Sequence, residues 1–435
     1  MSKLSIIILA AGAGTRMKSN LPKVLHKISG KEMLYYSIKE AKKLSDDIHI
    51  VLFNQHDLVK ASMEKYFDGI SFHIQDFLNL PGTGGAVMGI TPKYDRVLVL
   101  NGDMPLIEAQ ELGKLNFASK DIPIVMTVLE LQNADGYGRV IIENSNVKKI
   151  VEQKDCNEDE IKVNSANAGI YCFDKEFLLS HLPLLSNTNA QKEYYITDLV
   201  EMAINKGLSV VPVSVNEENF KGVNSKFDLS QAEVIHQNRI KKAFMANGIT
   251  MRLPDTIYIE EDVEIEGDSV LENGVTLLGK TKIISSHIKT NSIVESSIIK
   301  NSDIGPMARI RPDSRVESSH IGNFVEVKKS NLFEVKAGHL SYLGDSEIDS
   351  GTNVGAGTIT CNYDGVNKYK TKIGKNVFIG SDTQLVAPLE IPDNVMIAAG
   401  STVTKNPKSG DLVLSRTPQK SLAGFFDKFF GKKGN

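Results

Sequence analysis

Two sets of residues in this chain carry the means for chemistry on a phosphate chain and on an amine. The first is Leu9-Ala10-Ala11-Gly12-Ala13-Gly14-Thr15-Arg16-Met17, followed by Pro22-Lys23. Glycines between a strand and a helix let backbone N–H groups come close to phosphate oxygens, and a helix N-terminus adds favourable partial charge. Arg16 and Lys23 supply cations to neutralise a triphosphate. The run is not a dinucleotide fingerprint, because the third glycine is missing, nor is it a Walker loop. The second set lies far downstream. Arg309-Ile310-Arg311-Pro312 and Asn323-Phe324-Val325-Glu326-Val327-Lys328-Lys329 gather cations. Then come Lys336-Ala337-Gly338-His339-Leu340-Ser341-Tyr342 and Gly355-Ala356-Gly357-Thr358-Ile359-Thr360-Cys361-Asn362-Tyr363, with Lys368 beyond. Taken singly, His339 reads as structural and the lysines as solvated. Taken together, they offer cations for a phosphate, Asn and Tyr side chains for a sugar, and an imidazole to take a proton from an amine.

Different elements must position the two sets. In residues 1–226 short apolar runs alternate with helical patterns. Strands are expected at Ile6–Leu9, Ile48–Phe53, Val97–Leu100, Ile124–Leu129 and Val210–Val215, with helices such as Met33–Leu44 and Leu58–Tyr66. That alternation predicts an α/β domain with a parallel sheet covered on both faces, binding ligands beyond the carboxyl ends of its strands. Residues 227–247 carry Leu229, Ala232, Ile235, Ile240, Ala243 and Phe244 at near-helical spacing, closed by Asn247-Gly248. They predict one amphipathic helix joining two domains. Residues 248–435 obey another rule. Ile373, Ile379, Leu385, Ile391, Ile397 and Val403 return every sixth position, as do Ile298, Ile304, Ile310 and Val316. A six-residue period fits neither helix nor single strand; it predicts a parallel β-helix of hexapeptide coils. Ser330–Ser341 and Cys361–Thr371 break the count and are expected to be loops carrying function.

Composition narrows the partners. A net charge of −3 gives no electrostatic case for nucleic acid. Three cysteines, Cys156, Cys172 and Cys361, are too scattered for a disulfide framework or a zinc site, and they suit a reducing cytoplasm. The apolar run Ile6–Ala11 is too short for a signal peptide, and no stretch reaches the length of a membrane span. The tail from Leu422 to Asn435 holds two Phe pairs and a basic end; it reads as a packed or frayed end, with a membrane-surface or partner helix as the alternative.

The ordered N-terminal segments resemble sugar-1-phosphate nucleotidyltransferases. Gln75 with Pro81-Gly82-Thr83-Gly84-Gly85 is similar to that family's base-reading segment. Asn101-Gly102-Asp103-Met104-Pro105 is similar to its metal-binding turn. Gly136-Tyr137-Gly138-Arg139, Glu152, Asn167 and Gly222-Val223-Asn224 resemble its sugar-binding and second metal positions. The downstream segments resemble the acetyltransferase half of the bacterial bifunctional enzymes that make UDP-N-acetylglucosamine, a family joining a uridylyltransferase to a left-handed β-helix. The resemblance covers nearly the whole chain. It implies that Leu9, Ala10, Ala11, Gly12, Gly14, Arg16, Lys23, Gln75, Gly82, Thr83, Asn101, Asp103, Gly138, Glu152, Asn167 and Asn224 bind UTP and N-acetylglucosamine-1-phosphate. Asp103 and Asn224 would hold Mg²⁺, a hard ion that needs only one or two protein oxygens. His339 would be the general base, with Glu326 as its orienter. Arg311, Lys328, Tyr342, Asn353 and Lys368 would hold glucosamine-1-phosphate, and Ala356, Asn362, Tyr363, Ser381, Ala399 and Arg416 would line an acetyl-CoA site. A cytoplasmic homotrimer is implied as well.

The chain departs from that family at Gly85, where His is frequent, at Asn101, where Tyr is frequent, and at Ala168, a position commonly Thr. The alternative reading is a monofunctional nucleotidyltransferase whose β-helix only assembles subunits. The His339 and Asn362-Tyr363 segments argue against it, because a scaffold has no use for them.

Overall fold

The computed structural model describes residues 4–12, 14–116, 122–135, 137–151 and 153–431. The chain divides into two compact units, Met1–Gln237 and Asn238–Asn435. The division falls inside the helix Lys226–Ala246.

In the first unit the strands lie in the order Val210–Val215, Ile124–Glu130, Ser165–Asp174, Arg96–Asn101, Leu4–Leu9, Asp47–Leu52, Ser71–Ile74. Leu4–Leu9 runs parallel to both Asp47–Leu52 and Arg96–Asn101. Its side chains alternate between two cores: Ile6 and Ile8 pack with Leu98 and Leu100 on one face, Ile7 with Val97 and Val99 on the other. Burial on both faces is why these strands read as continuous apolar runs. The expected parallel sheet takes in one strand of opposite sense. Ser165–Asp174 enters its middle antiparallel to both neighbours. Its first half, Ser165-Ala166-Asn167-Ala168-Gly169, is small and polar and gives no strand signal. A hairpin of Arg139–Glu143 and Asn146–Val151 joins this sheet at Ala166.

Helix Lys226–Ala246 serves two cores in turn. Leu229, Ala232 and Ile235 pack with Ile28, Met33, Leu106 and Val223. Ile240 and Phe244 pack against the apolar interior of the second unit.

That second unit is a β-helix. Strands of two to four residues stack in three parallel sheets of ten, nine and eight strands, each pairing with the strand three further on except Met396–Ile397, whose partner Leu412–Val413 is two further on. The six hexad residues from Ile373 to Val403 are all buried. Two expectations fail upstream. The buried residue is Ile299, not Ile298. The inward positions there, Val294, Ile299, Ile304, Ile310, Val316 and Ile321, mix steps of five and six, so a strict hexad slips by one. Ser330–Ser341 is no loop either: strands Asn331–Phe333 and Lys336–His339 run through it in register. Small Ala337 stands at its inward position and hid the repeat. Cys361–Thr371 is a true excursion, since pairing resumes at Ser346↔Thr371. Serines stitch one corner. Ser286 donates its N–H to Ser269 Oγ, Ser302 to Ser286 Oγ and Ser319 to Ser302 Oγ.

Beyond the last coil, helix Phe425–Phe430 leaves all four of its phenylalanine rings exposed. No helix among the described residues is long and apolar enough to cross a membrane.

Candidate active sites

The parallel strands Leu4–Leu9 and Arg96–Asn101 end side by side, with Leu9 opposite Asn101. The two chain segments leaving them are tied at once, Gly102 N–H donating to Leu9 C=O at 2.9 Å. A cavity of about 330 Å³ opens there, lined by Leu9, Ala10, Ala11, Gly12, Lys23, Gln75, Gly82, Thr83, Asn101 and Asp103. Ten of the residues expected to bind substrate thus share one space. Lys23 Nζ lies 2.5 Å from Asp103 Oδ2 and 3.0 Å from Asn224 Oδ1, and Arg16 Nη2 reaches the same Asn224 oxygen at 2.8 Å. Two cations, a carboxylate and an amide therefore converge at its mouth. Gly14 is forced by this geometry: its φ is +62°, and a Cβ there would sit 2.8 Å from Lys23 Cβ.

Asn224 is held from behind. Asp228 Oδ2 accepts the N–H of Asn224 at 3.0 Å, and from Ser225 both the N–H and the hydroxyl, each at 2.9 Å. Burial alone would raise the Asp228 pKa. The Ser225 hydroxyl and the N–H groups of Asn224 and Ser225 outweigh it and hold the carboxyl below its ordinary range. Val223 N–H donates to Asp103 C=O at 2.9 Å, joining this turn to the Gly-Asp turn.

Gln75 spends its amide on the loop it precedes, donating to Leu80 C=O at 2.9 Å and Gly82 C=O at 3.0 Å. Gly82 has φ +89°, and a Cβ would meet Tyr194 O at 2.6 Å. Gly85, one of the departures, packs so closely on the Leu80 carbonyl that any side chain there would displace the loop. Asn167 accepts Gly169 N–H at 2.9 Å and donates to Tyr171 Oη at 2.7 Å, while its own N–H donates to Gly138 C=O at 3.2 Å. The Gly169 carbonyl in turn accepts Asn101 Nδ2 at 3.3 Å, linking this region to the cavity wall. Arg139 is buried, its guanidinium donating to the carbonyls of Ala134 and Tyr137. Glu152 lies outside the described residues.

Sequence reasoning missed Phe77 and Glu193, which also line the cavity. Phe77 stacks on Phe53 with ring centroids 4.7 Å apart and planes 25° from parallel. Both rings follow strand ends and are partly exposed, and that pairing was the signal available.

In the β-helix, Ala337, Val354, Ile379 and Ile397 are in register across successive coils. Two residues further along each coil stand His339, Ala356, Ser381 and Ala399, one above another at a single corner. Backbone bonds lock that column: Gly357 N–H to Leu340 C=O at 3.1 Å, Asp382 N–H to Ala356 C=O at 2.7 Å, Gly400 N–H to Ser381 C=O at 2.8 Å. Gly355 permits the tight stacking, since a Cβ would lie 2.6 Å from the Gly380 backbone. Arg416 caps the column, donating to Ala399 C=O at 2.9 Å. His339 is exposed at a regular corner rather than on a loop. The residue after it, Leu340, holds φ +47°, a left-handed conformation costly for a branched side chain.

The adjoining sheet face carries Tyr342, in register with Glu326, and Lys328, opposite Gly344. Glu326 is engaged by Arg311 at 2.8 Å and makes no bond to His339. Asn353 stands on a neighbouring sheet, in register with Lys336 and Phe378. The excursion is a small hairpin closed by a Tyr363–Lys368 bridge and anchored by Asn362 Nδ2 to Asp345 Oδ2 at 2.5 Å. Tyr363 and Lys368 stand exposed on it. Burial raises the Cys361 thiol pKa, which argues against a reactive thiolate. Within one chain these residues line an open face.

A strand-end nucleotide cavity followed by a hexapeptide coil defines a nucleotidyltransferase joined to a β-helix transferase. The family model for a MobA-like NTP transferase domain matches residues 6–139, and that for the bacterial transferase hexapeptide, six repeats, matches residues 370–405. The bifunctional protein GlmU of Aliarcobacter butzleri is 70% identical over 433 residues, covering 100% of both chains. Those of Wolinella succinogenes and Nitratiruptor sp. are 59% and 58% identical, each covering 98% of this chain and 99% of its own. The chain belongs to the GlmU family of bifunctional proteins.

Proposed function

We propose that the chain makes UDP-N-acetylglucosamine in two steps. The observation that carries the first half of this reading is the convergence of Lys23, Asp103, Asn224 and Arg16 on one cavity mouth. A phosphate oxygen of N-acetylglucosamine-1-phosphate attacks the α-phosphorus of UTP; the bond to the β-phosphate oxygen breaks and pyrophosphate leaves. The nucleophile is already ionised, so the rate comes from alignment and charge neutralisation. Backbone N–H groups from Leu9 to Gly12 face the phosphates, Arg16 and Lys23 neutralise them, and the Gln75–Thr83 segment reads the base.

Asp103 and Asn224 would hold Mg²⁺. Their two hard oxygens already face one cation, the Lys23 ammonium. Two protein oxygens suit a hard ion that keeps several waters and shares substrate phosphates. Bound there, the ion would neutralise charge developing on the phosphates.

The β-helix supplies the preceding step. His339 takes a proton as the amine of glucosamine-1-phosphate attacks the thioester carbonyl of acetyl-CoA, and the CoA thiolate leaves. Arg311, Lys328, Tyr342, Asn353 and Lys368 hold the sugar phosphate, while Ala356, Ser381 and Ala399 with Asn362, Tyr363 and Arg416 form the CoA wall. The open face of a single chain supports closure by a neighbouring β-helix in a cytoplasmic homotrimer. The monofunctional reading is disfavoured by relatives that match through both halves. The test supplies glucosamine-1-phosphate, acetyl-CoA, UTP and Mg²⁺ together and follows CoA and pyrophosphate separately. Release of one without the other removes the silent half from the proposal.

A further inference from the structure

The C-terminal segment lies beyond the residues assigned to either reaction, yet its pattern is ordered. Gly424 and Gly431 bracket the helix Phe425–Phe430. Phe425, Phe426, Phe429 and Phe430 are 49%, 72%, 68% and 66% exposed, and Leu422 just before them is 73% exposed. The rings group by helical spacing, Phe425 on Phe429 at 5.7 Å and Phe426 on Phe430 at 4.9 Å. At 3.6 residues per turn the four occupy roughly 140° of arc, leaving Asp427 and Lys428 to the other side. Charge is segregated too. Residues 420–433 carry Lys420, Lys428, Lys432 and Lys433 against Asp427 alone, in a chain whose net charge is −3.

We propose that this segment docks the protein on the surface of an anionic phospholipid bilayer. A contiguous exposed aromatic patch marks an interaction surface. A two-turn helix is marginal in water and gains from an interface that takes its apolar side. The choice of occupant rests on charge: a sequence that sets four lysines against one aspartate around an exposed aromatic helix matches the headgroup level of an anionic leaflet, where each cation adds attraction that salt screens. A second copy of this chain, with a net charge of only −3 over 435 residues, offers the lysines a weaker field than an anionic leaflet. The attachment is peripheral, since the helix is far too short to span.

The test uses the full-length protein with vesicles of mixed phosphatidylglycerol and phosphatidylcholine, against pure phosphatidylcholine, read by co-sedimentation. Binding to the anionic vesicles should be at least tenfold tighter and should weaken steeply between about 50 and 500 mM salt. Phe425→Ser/Phe426→Ser/Phe429→Ser/Phe430→Ser and, separately, Lys420→Gln/Lys428→Gln/Lys432→Gln/Lys433→Gln should each reduce it tenfold or more. Both enzymatic rates should be retained in these variants, which verifies their folding. No binding to anionic vesicles at any salt, or binding unchanged in the phenylalanine variant, overturns the proposal. A smaller assembly formed by that variant, with vesicle binding unaltered, also overturns it and assigns the rings to a second copy.

Discussion

Lys23 and Asp103 meet at 2.5 Å although 80 residues separate them in sequence. One follows the loop after the first strand and the other the end of its parallel neighbour, so the contact exists only because those strands are adjacent. Lys23→Ala should lower pyrophosphate release by 100-fold or more, because a cation facing the phosphates is lost along with the partner of Asp103. CoA release from glucosamine-1-phosphate and acetyl-CoA should stay at the parent value. A parallel fall in both rates would mean that the substitution damaged folding rather than the site.

His339→Ala should produce the mirror image. Acetyl transfer should drop by about 10²–10⁴, the usual contribution of a positioned general base, with uridylyl transfer from added N-acetylglucosamine-1-phosphate unchanged. The two rates can be measured on one sample, so each serves as the folding control for the other.

Phe77 stands on the cavity wall beside Gln75 and Gly82, where a flat ring can cover a pyrimidine face. Phe77→Ala should raise KM for UTP roughly tenfold, in line with about 1–3 kcal/mol for base–aromatic stacking, with kcat little altered. Phe77→Tyr should restore it. An unchanged KM in Phe77→Ala would leave the ring as packing for Phe53 only.

The Asp228 carboxylate gives a pH signature. Its folded pKa is below the ordinary value, so the stability it contributes is present above the unfolded pKa of about 3.9 and is lost as pH falls through the folded value. Asp228→Asn should cost on the order of 1 kcal/mol at pH 7, as loss of a capping acceptor does. The difference from the parent protein should shrink below about pH 4. Thermal melts at pH 7 and at mildly acid pH would measure it. The same variant should raise the Mg²⁺ concentration needed for half-maximal pyrophosphate release, because Asn224 loses its backing.

The sequence was most legible where one period governed many residues. Ile6 to Leu9 declared their strand because both of its faces are covered, and the hexads from Ile373 to Val403 because each inward position is buried. Legibility failed where small residues did the work. Ala337 concealed a regular coil, and the Asn167–Gly169 stretch concealed a strand entering the sheet backwards. Most cavity-lining residues from Leu9 to Asp103 could be listed because their types and order are distinctive. Phe77 and Glu193 could not be, since only the folded loop turns them toward the cavity. Glu326 shows a different failure: the family resemblance offered it as the orienter of His339, and within one chain it bonds Arg311 instead.

The Cys361–Thr371 hairpin leaves the stack after one strand and returns in perfect register for the next, with Glu347↔Lys372 and Ile348↔Ile373 intact. Lengthening such an excursion costs little chain entropy, because closure grows only with the logarithm of its length. The coil beneath is therefore indifferent to what the hairpin contains. Evolution or an engineer can exchange this one segment, and with it the Asn362 and Tyr363 side chains it carries, while every inward aliphatic side chain stays where it is. In this architecture a new surface at that corner is a matter of grafting rather than of refolding.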